Sequence, residues 1–378
     1  MAATPDVAGV AAPEPEPPKR RWWHIPRFLR NGLAIGFLLL VVIFVLIPKF
    51  ASNEKSITAI EHVNILLLGL ALGLEVVSLF SYAKLTMVVL PPNSMSLSKA
   101  WRINLASLAA GHLLPGSTAA GTGLSIRLMT NEGLSGTDVG VATATMGIGS
   151  AVLLNAMLWV ALLISIPLNG FNPVYEWVAL VSLLSLGFFA ALIAGFAKGD
   201  GWAVRVLRRI ARRFRKIPEE KLELLISQIA ARIQAFWSDQ ELVRRGLIWA
   251  ALNWLLDASC LWVCLFALHV YLNPIDLFVA YGIANVLAAI PITPGGIGVV
   301  EGVGTGFLVS FHVPLGIALA AVFGWRLFNF WLPIPVGGGC YISLTQRGVA
   351  IRNWVKKRRH TDGTDSGGEP KPFPPPIS

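Results

Sequence analysis

Apolar residues in this chain fall into long, nearly unbroken runs rather than the amphipathic stripe of a surface helix. Crossing a bilayer takes roughly 20 apolar residues. Six segments approach or exceed that length: 31–48, 63–90, 139–168, 175–197, 247–272 and 315–345. Two more are interrupted: residues 97–136 by Leu114-Pro115-Gly116, and residues 276–313 between Pro291 and Gly298. Proline removes a helix hydrogen bond and glycine weakens the helix. Each break therefore frees backbone groups at membrane depth, where only protein or a wet cavity can satisfy them. The pattern predicts an all-α polytopic membrane protein with about six full spans and two broken hairpins.

Charge orients these elements. Lys and Arg cluster as five in residues 1–30, twelve in 198–245 and six in 346–360, while loops 169–174 and 272–276 contain neither. Basic loops stay in the cytoplasm, so both termini are expected there, in a multi-pass protein of the cell membrane. The first broken segment then enters and leaves on the cytoplasmic face and the second on the outer face. Two re-entrant hairpins of opposite orientation form an inverted repeat, as in transporters; pairs of short tilted full spans would keep the same parity. Within 198–245, Trp202, Val206, Ile210 and Phe214 recur at helical spacing beside arginines. This fits amphipathic helices on the inner leaflet or a packed cytoplasmic hairpin. Residues 1–30 read as a disordered, basic N-terminal tail, 31–345 as the membrane domain, and 346–378 as a basic, then disordered, tail.

Composition agrees. Of 378 residues 54% are hydrophobic and 14% charged, with mean hydropathy +0.64, too few charges to cover a soluble globule. The net charge of +10 comes with no nucleic-acid motif, so it is assigned to anionic lipid. Cys260 and Cys264 share a helix face as packing residues, and the histidines and cysteines have no metal-ligand spacing. No phosphate loop, GxSxG, HExxH or DxD pair is present. Neither cofactor nor metal is expected.

Ionisable residues inside spans are few: Glu75, Arg102, His112, Arg127, Asp257, Glu301 and Arg326. Each would cost roughly 2.5–3.5 kcal/mol at the bilayer centre on insertion scales, so such groups face a bundle interior or a pathway. Glu301, Arg127 and Arg326 are expected to line one polar cavity. Helix N-termini donate free N–H groups and suit phosphate. Those following Pro115-Gly116, at Ser117, and Pro294, at Gly295-Gly296-Ile297-Gly298, are expected to hold a lipid phosphate, with Arg102 and Arg127 adding charge near the first. A β-branched residue at Gly296 should block that site without unfolding the chain. The glycines at 69 and 73, and at 298, 302 and 306, form faces for close helix packing.

The run Pro291-Ile-Thr-Pro-Gly-Gly-Ile-Gly-Val-Val-Glu301-Gly302 resembles the signature of a flippase-like family that includes the transmembrane region of lysylphosphatidylglycerol synthases. Arg326 matches a family arginine in the next span. Asn104 through Leu114-Pro115-Gly116 to Arg127 resembles the family's first broken segment, and Asn253-Trp-Leu-Leu-Asp257 its span before the signature. Where many relatives carry a glutamate ahead of the arginine, this chain has Thr122. The resemblance covers roughly residues 30–345. It implies translocation of a phospholipid or polyprenyl-linked lipid. Arg102, Asn104, Asp257, Asn285, Glu301 and Arg326 are expected to join the two breaks in the substrate path. No cytosolic acyltransferase domain follows, so aminoacylation by this chain is not expected. Expected partners are membrane lipids with an anionic or lipid-phosphate headgroup, and a homo-oligomer is left open. The competing readings are a membrane enzyme acting on polyprenyl-phosphate sugars and a non-transporting scaffold.

Overall fold

The computed structural model describes residues 63–114, 117–169, 238–288 and 294–345, with scattered positions between 180 and 191. The expected span 31–48, most of the span 175–197, the amphipathic helices of 198–237, both tails and the residues Pro115, Gly116 and Pro291 lie outside them. The described residues are mainly helical, with no strand among them.

The elements are α1 (Ile65–Val89), α2 (Leu97–Leu113), α3 (Ser117–Asn131), α4 (Gly136–Asn169), α5 (Gln240–Ala267), α6 (Pro274–Ala288), a 3₁₀ turn (Pro294–Gly296), α7 (Val299–Ser310) and α8 (Leu315–Thr345). Four of these, α1, α4, α5 and α8, are long and apolar enough to cross a membrane. Their outer faces stay apolar and exposed, as at Leu66, Leu163 and Leu255, which suits lipid rather than water as the surrounding medium. The other four helices are shorter. At 1.5 Å per residue, the 17 residues of α2 reach only about 25 Å.

Local chemistry sets the ends. Asn64 Oδ1 accepts from the N–H groups of Leu66 and Leu67 at 3.0 and 3.3 Å and caps α1. Asp239 Oδ1 does the same for Glu241 and Leu242 at 3.0 and 3.1 Å. That cap starts α5 at Gln240, ahead of the apolar run that begins at 247. Glu241, paired with Arg244 and Arg245, makes this polar turn helical.

The described helices fall into two sets of the same order: long, short, short, long. In each, the two short helices pack as a hairpin, α2 with α3 and α6 with α7. The leading helices α1 and α5 make the largest contact among the described helices and run antiparallel. Asn64 N–H meets the Ala267 carbonyl at one end (3.1 Å), and Leu85 packs with Ala250 toward the other. Between these, the Ser78 hydroxyl donates to the Asn253 carbonyl at 3.0 Å, and Asn253 Nδ2 donates to Ser78 Oγ at 2.8 Å. The main core gathers Leu158 and Leu162 of α4, Leu261 and Leu265 of α5, Tyr281 of α6 and Trp325 of α8. Cys260 and Cys264 are buried in it as packing residues.

The glycine faces differ from expectation. Among the described residues, a Cβ at Gly69, Gly73, Gly298, Gly302 or Gly306 would meet nothing within 4 Å. Close helix approach occurs instead at Gly337, where a Cβ would lie 2.1 Å from the Leu105 carbonyl oxygen, and at Gly282, 3.0 Å from Leu158 Cδ1.

Candidate functional site

The helices that flank the first break, α2 and α3, both lie against the 3₁₀ turn of the second, and Phe330 fills the junction. The His112 ring stacks on Phe330 with centroids 4.1 Å apart, and its Nδ1 lies 3.0 Å from the Phe330 carbonyl oxygen. The Arg326 guanidinium sits 4.3 Å from the same ring's centroid. Gly295 has φ +60°, and a Cβ there would come within 2.3 Å of Phe330, so glycine is required on both counts.

Arg326 closes the second break. Its Nε donates to Glu301 Oε1 at 2.7 Å and its Nη2 to the Gly295 carbonyl at 2.9 Å. Glu301 Oε2 accepts from the Gly298 N–H at 2.6 Å. The carboxylate thus occupies the N-terminus of α7, where a phosphate was expected. Glu301 and Arg326 come together as an ion pair, outside the walls of the cavities described below, and Arg127 does not join them: its side chain is exposed on α3. Arg102 bonds the Ser343 hydroxyl, tying α2 to α8. Gly296 is buried at φ +70°, with Ala288 and Val300 each 3.1 Å from a notional Cβ. A β-branched residue there would strain the fold itself. The side chains of Ser117 and Pro294 lie outside the described set.

A second cluster lies deeper. Asp257 accepts from the Tyr281 hydroxyl at 2.8 Å, Trp325 Nε1 at 2.5 Å and Asn329 Nδ2 at 3.1 Å. These donors come from α6 and α8. Asn329 and Phe330 belong to a π-helical turn, Leu327–Trp331, whose signature is the Leu332 N–H bonded to the Leu327 carbonyl at 2.8 Å. The wider turn aims Asn329 at Asp257 while Phe330 packs at the break. Such turns recur at functional sites. A cavity of about 270 Å³ opens beside Asp257, lined also by Glu75, Asn104, Asn253, Asn285 and Asn329, with no Lys or Arg among the described residues of its wall. Asn104 is fixed by donating to Thr86 Oγ1 at 2.7 Å, and Asn285 by donating to the Tyr281 carbonyl at 3.0 Å.

Neighbouring cavities share walls with this one. Across Tyr82, Asn104 and Leu108 lies a space of about 250 Å³ that reaches His112, Gly121 and Thr122. Across Ser150 lies a constriction of about 30 Å³ between Leu85, Met146, Leu247 and Ala250. Beyond it, sharing Val89 and Thr145, a mouth of about 740 Å³ carries Lys84, Arg245 and Asp138. Lys84 Nζ lies 5.6 Å from the centroid of the Phe80 ring and 5.9 Å from that of Trp249.

Asn104, Asp257 and Asn285 are thus brought together, as are Gly295, Glu301 and Arg326, in two clusters joined by α8. Sequence reasoning did not select Tyr281, Trp325 or Asn329 for the site, and it named Glu75 only as an ionisable residue.

The family profile described as the lysylphosphatidylglycerol synthase TM region matches residues 32–337. The chain belongs to that family. Among curated relatives, a UPF0104 membrane protein of Methanothermobacter thermautotrophicus is 22% identical over 336 residues, covering 82% of this chain and 92% of the relative. The inner membrane protein YbhN of Escherichia coli is 26% identical over 103 residues, 27% of this chain and 31% of YbhN. The matched region runs through both hairpins and the polar cavity, so the site described above belongs to the family domain.

Proposed function

We propose that this protein is a lipid translocase, passing the polar headgroup of a phospholipid or polyprenyl-linked lipid through its interior while the tails stay in the bilayer. The observation that carries the reading is the row of wall-sharing cavities from the Lys84/Arg245 mouth to the Asn104/Asp257/Asn285 chamber. Dragging a polar headgroup through hydrocarbon costs several kcal/mol. A mid-depth chamber with amide and hydroxyl groups lowers that barrier. Lys84 and Arg245 suit an anionic headgroup or lipid phosphate arriving at the mouth, and the constriction between Leu85 and Ala250 would serve as a gate.

In this reading the two hairpins are re-entrant and the halves form an inverted repeat. Its support is the repeated order of helices, the antiparallel pairing of α1 with α5, and the reciprocal packing of α2 on α8 and α6 on α4. Rocking of one half against the other would expose the chamber alternately. The mouth lies at the end of α1 and the start of α5, hence on the cytoplasmic face if the basic loops are inside.

The test is reconstitution into liposomes bearing a fluorescent phospholipid, with a membrane-impermeant quencher reporting leaflet exposure. Protein-dependent transfer of inner-leaflet probe to the outer leaflet is expected. Transfer no faster than in protein-free vesicles, for phospholipid and polyprenyl-phosphate probes alike, would reject the reading.

A further inference from the structure

Glu75 is 1% exposed and sits in the chamber wall, where neither carboxylate oxygen makes a well-formed hydrogen bond and the nearest donor is the Asn329 amide. The register of the α1–α5 pair, set by the Asn64–Ala267 and Ser78–Asn253 bonds, places Glu75 beside a second carboxyl, Asp257, in the wall of the same chamber. Two ionised carboxylates are both acceptors and repel each other. A bond between them needs a proton. Asp257 already accepts from Tyr281, Trp325 and Asn329, so the proton that completes the pair belongs on Glu75.

Among the described residues the surroundings offer no other balance of charge. The titratable groups facing the pair are Cys260 and Cys264 of α5, Tyr281 of α6 and, across the cavity, Tyr82 of α1. From α8 come the neutral Trp325 and Asn329, and Arg326 of the same helix is held by Glu301. α2 contributes Trp101 and Asn104 to the chamber and α4 contributes Ser150; Arg102 of α2 is bonded to Ser343 and His112 is stacked on Phe330.

The position matters as much as the chemistry. Glu75 belongs to the first set of helices, while Asp257 and its three donors belong to the second, so the pair straddles the α1–α5 seam. We propose that Glu75 and Asp257 share one proton across this seam, and that taking up and releasing a second proton couples lipid movement to a proton gradient. With one proton the pair carries a single negative charge; with two it is neutral. Motion that separates the halves would part the carboxyls and expose them to water, where protons exchange. The coupling rests on the translocation reading above; the shared proton does not.

The experiment uses the full chain in vesicles of phosphatidylethanolamine and phosphatidylglycerol, with a fluorescent phosphatidylglycerol probe and a trapped pH-sensitive dye. For one proton per cycle, a gradient of one pH unit is expected to change the probe translocation rate by up to ~10-fold, with proton flux in step. Glu75→Gln should lose both the gradient dependence and the flux while keeping its size-exclusion profile, and Glu75→Asp should retain them. A wild-type rate indifferent to the gradient, or unaltered coupling in Glu75→Gln, would overturn the coupling while leaving lipid translocation intact. If no probe moves under any gradient, the translocation reading fails and infrared spectroscopy decides the pair. A protonated-carboxyl absorption at neutral pH that disappears in Glu75→Gln upholds the shared proton, and its absence in the wild type refutes it. Should Glu75→Gln not assemble, a shift of that band in Asp257→Asn serves the same purpose.

Discussion

Arg326 shows how one side chain can hold a broken helix together. It bonds Glu301 and the Gly295 carbonyl and lies over Phe330, with its own side chain 5% exposed and that of Glu301 12%. Removing one member of a buried ion pair strands the other charge and typically costs about 3–5 kcal/mol, whereas replacing both is far milder. Arg326→Met is therefore expected to lower the unfolding temperature in detergent sharply. Arg326→Met combined with Glu301→Gln should recover a substantial part of the loss. Equal losses in the single and double variants would show that the pair is not what stabilises the second break.

At the scale of helices, contact is set where backbone meets backbone. Gly337 allows α8 to lie on α2, and a methyl there would fall 2.1 Å from the Leu105 carbonyl oxygen; Gly339 on the same helix has free space. Gly337→Ala is expected to separate the two helices and destabilise the protein by more than 1 kcal/mol, a typical overpacking cost, with Gly339→Ala close to neutral. Thermal unfolding of both variants in detergent checks this. Much of this layer was legible in the sequence. Pro-Gly marked both breaks because the proline ring and glycine's freedom end helices wherever they fall. Other signals were present but unread: Pro115-Gly116 and Pro294-Gly295 are each followed by a glycine seven residues later, Gly123 and Gly302, an internal echo of the two sets of helices. The π turn at Leu327–Trp331 was not legible, because it depends on what Asn329 and Phe330 meet in three dimensions. The outward direction of Gly302 and Gly306 was hidden for the same reason: GxxxG spacing marks a face but not what lies opposite it. Nor could the sequence place Arg127 away from Arg326, since a span's charge count says nothing of its helix's rotation.

For the whole molecule, orientation is the property that charge alone argues. Both termini and residues 198–245 are expected in the cytoplasm. A cysteine placed at Lys216 should react with an impermeant maleimide only after cells are opened; labelling in intact cells would invert the orientation. Cys260 and Cys264 are buried and Cys340 is partly exposed, so replacing Cys340 should remove most of the native background. The antiparallel pairing of α1 and α5 also has a consequence in time. Synthesis at about 5–20 residues per second delivers α1 to the membrane on the order of ten seconds or more before α5 exists. Throughout that interval Glu75 has no Asp257 to face and Ser78 no Asn253, although both pairs join the finished halves. The nascent first half is therefore expected to keep this acid neutral, or beside the insertion machinery, since a charge in lipid is costly. On that expectation, release into the bilayer waits for the second half, and the central seam acts as a checkpoint in the protein's own assembly.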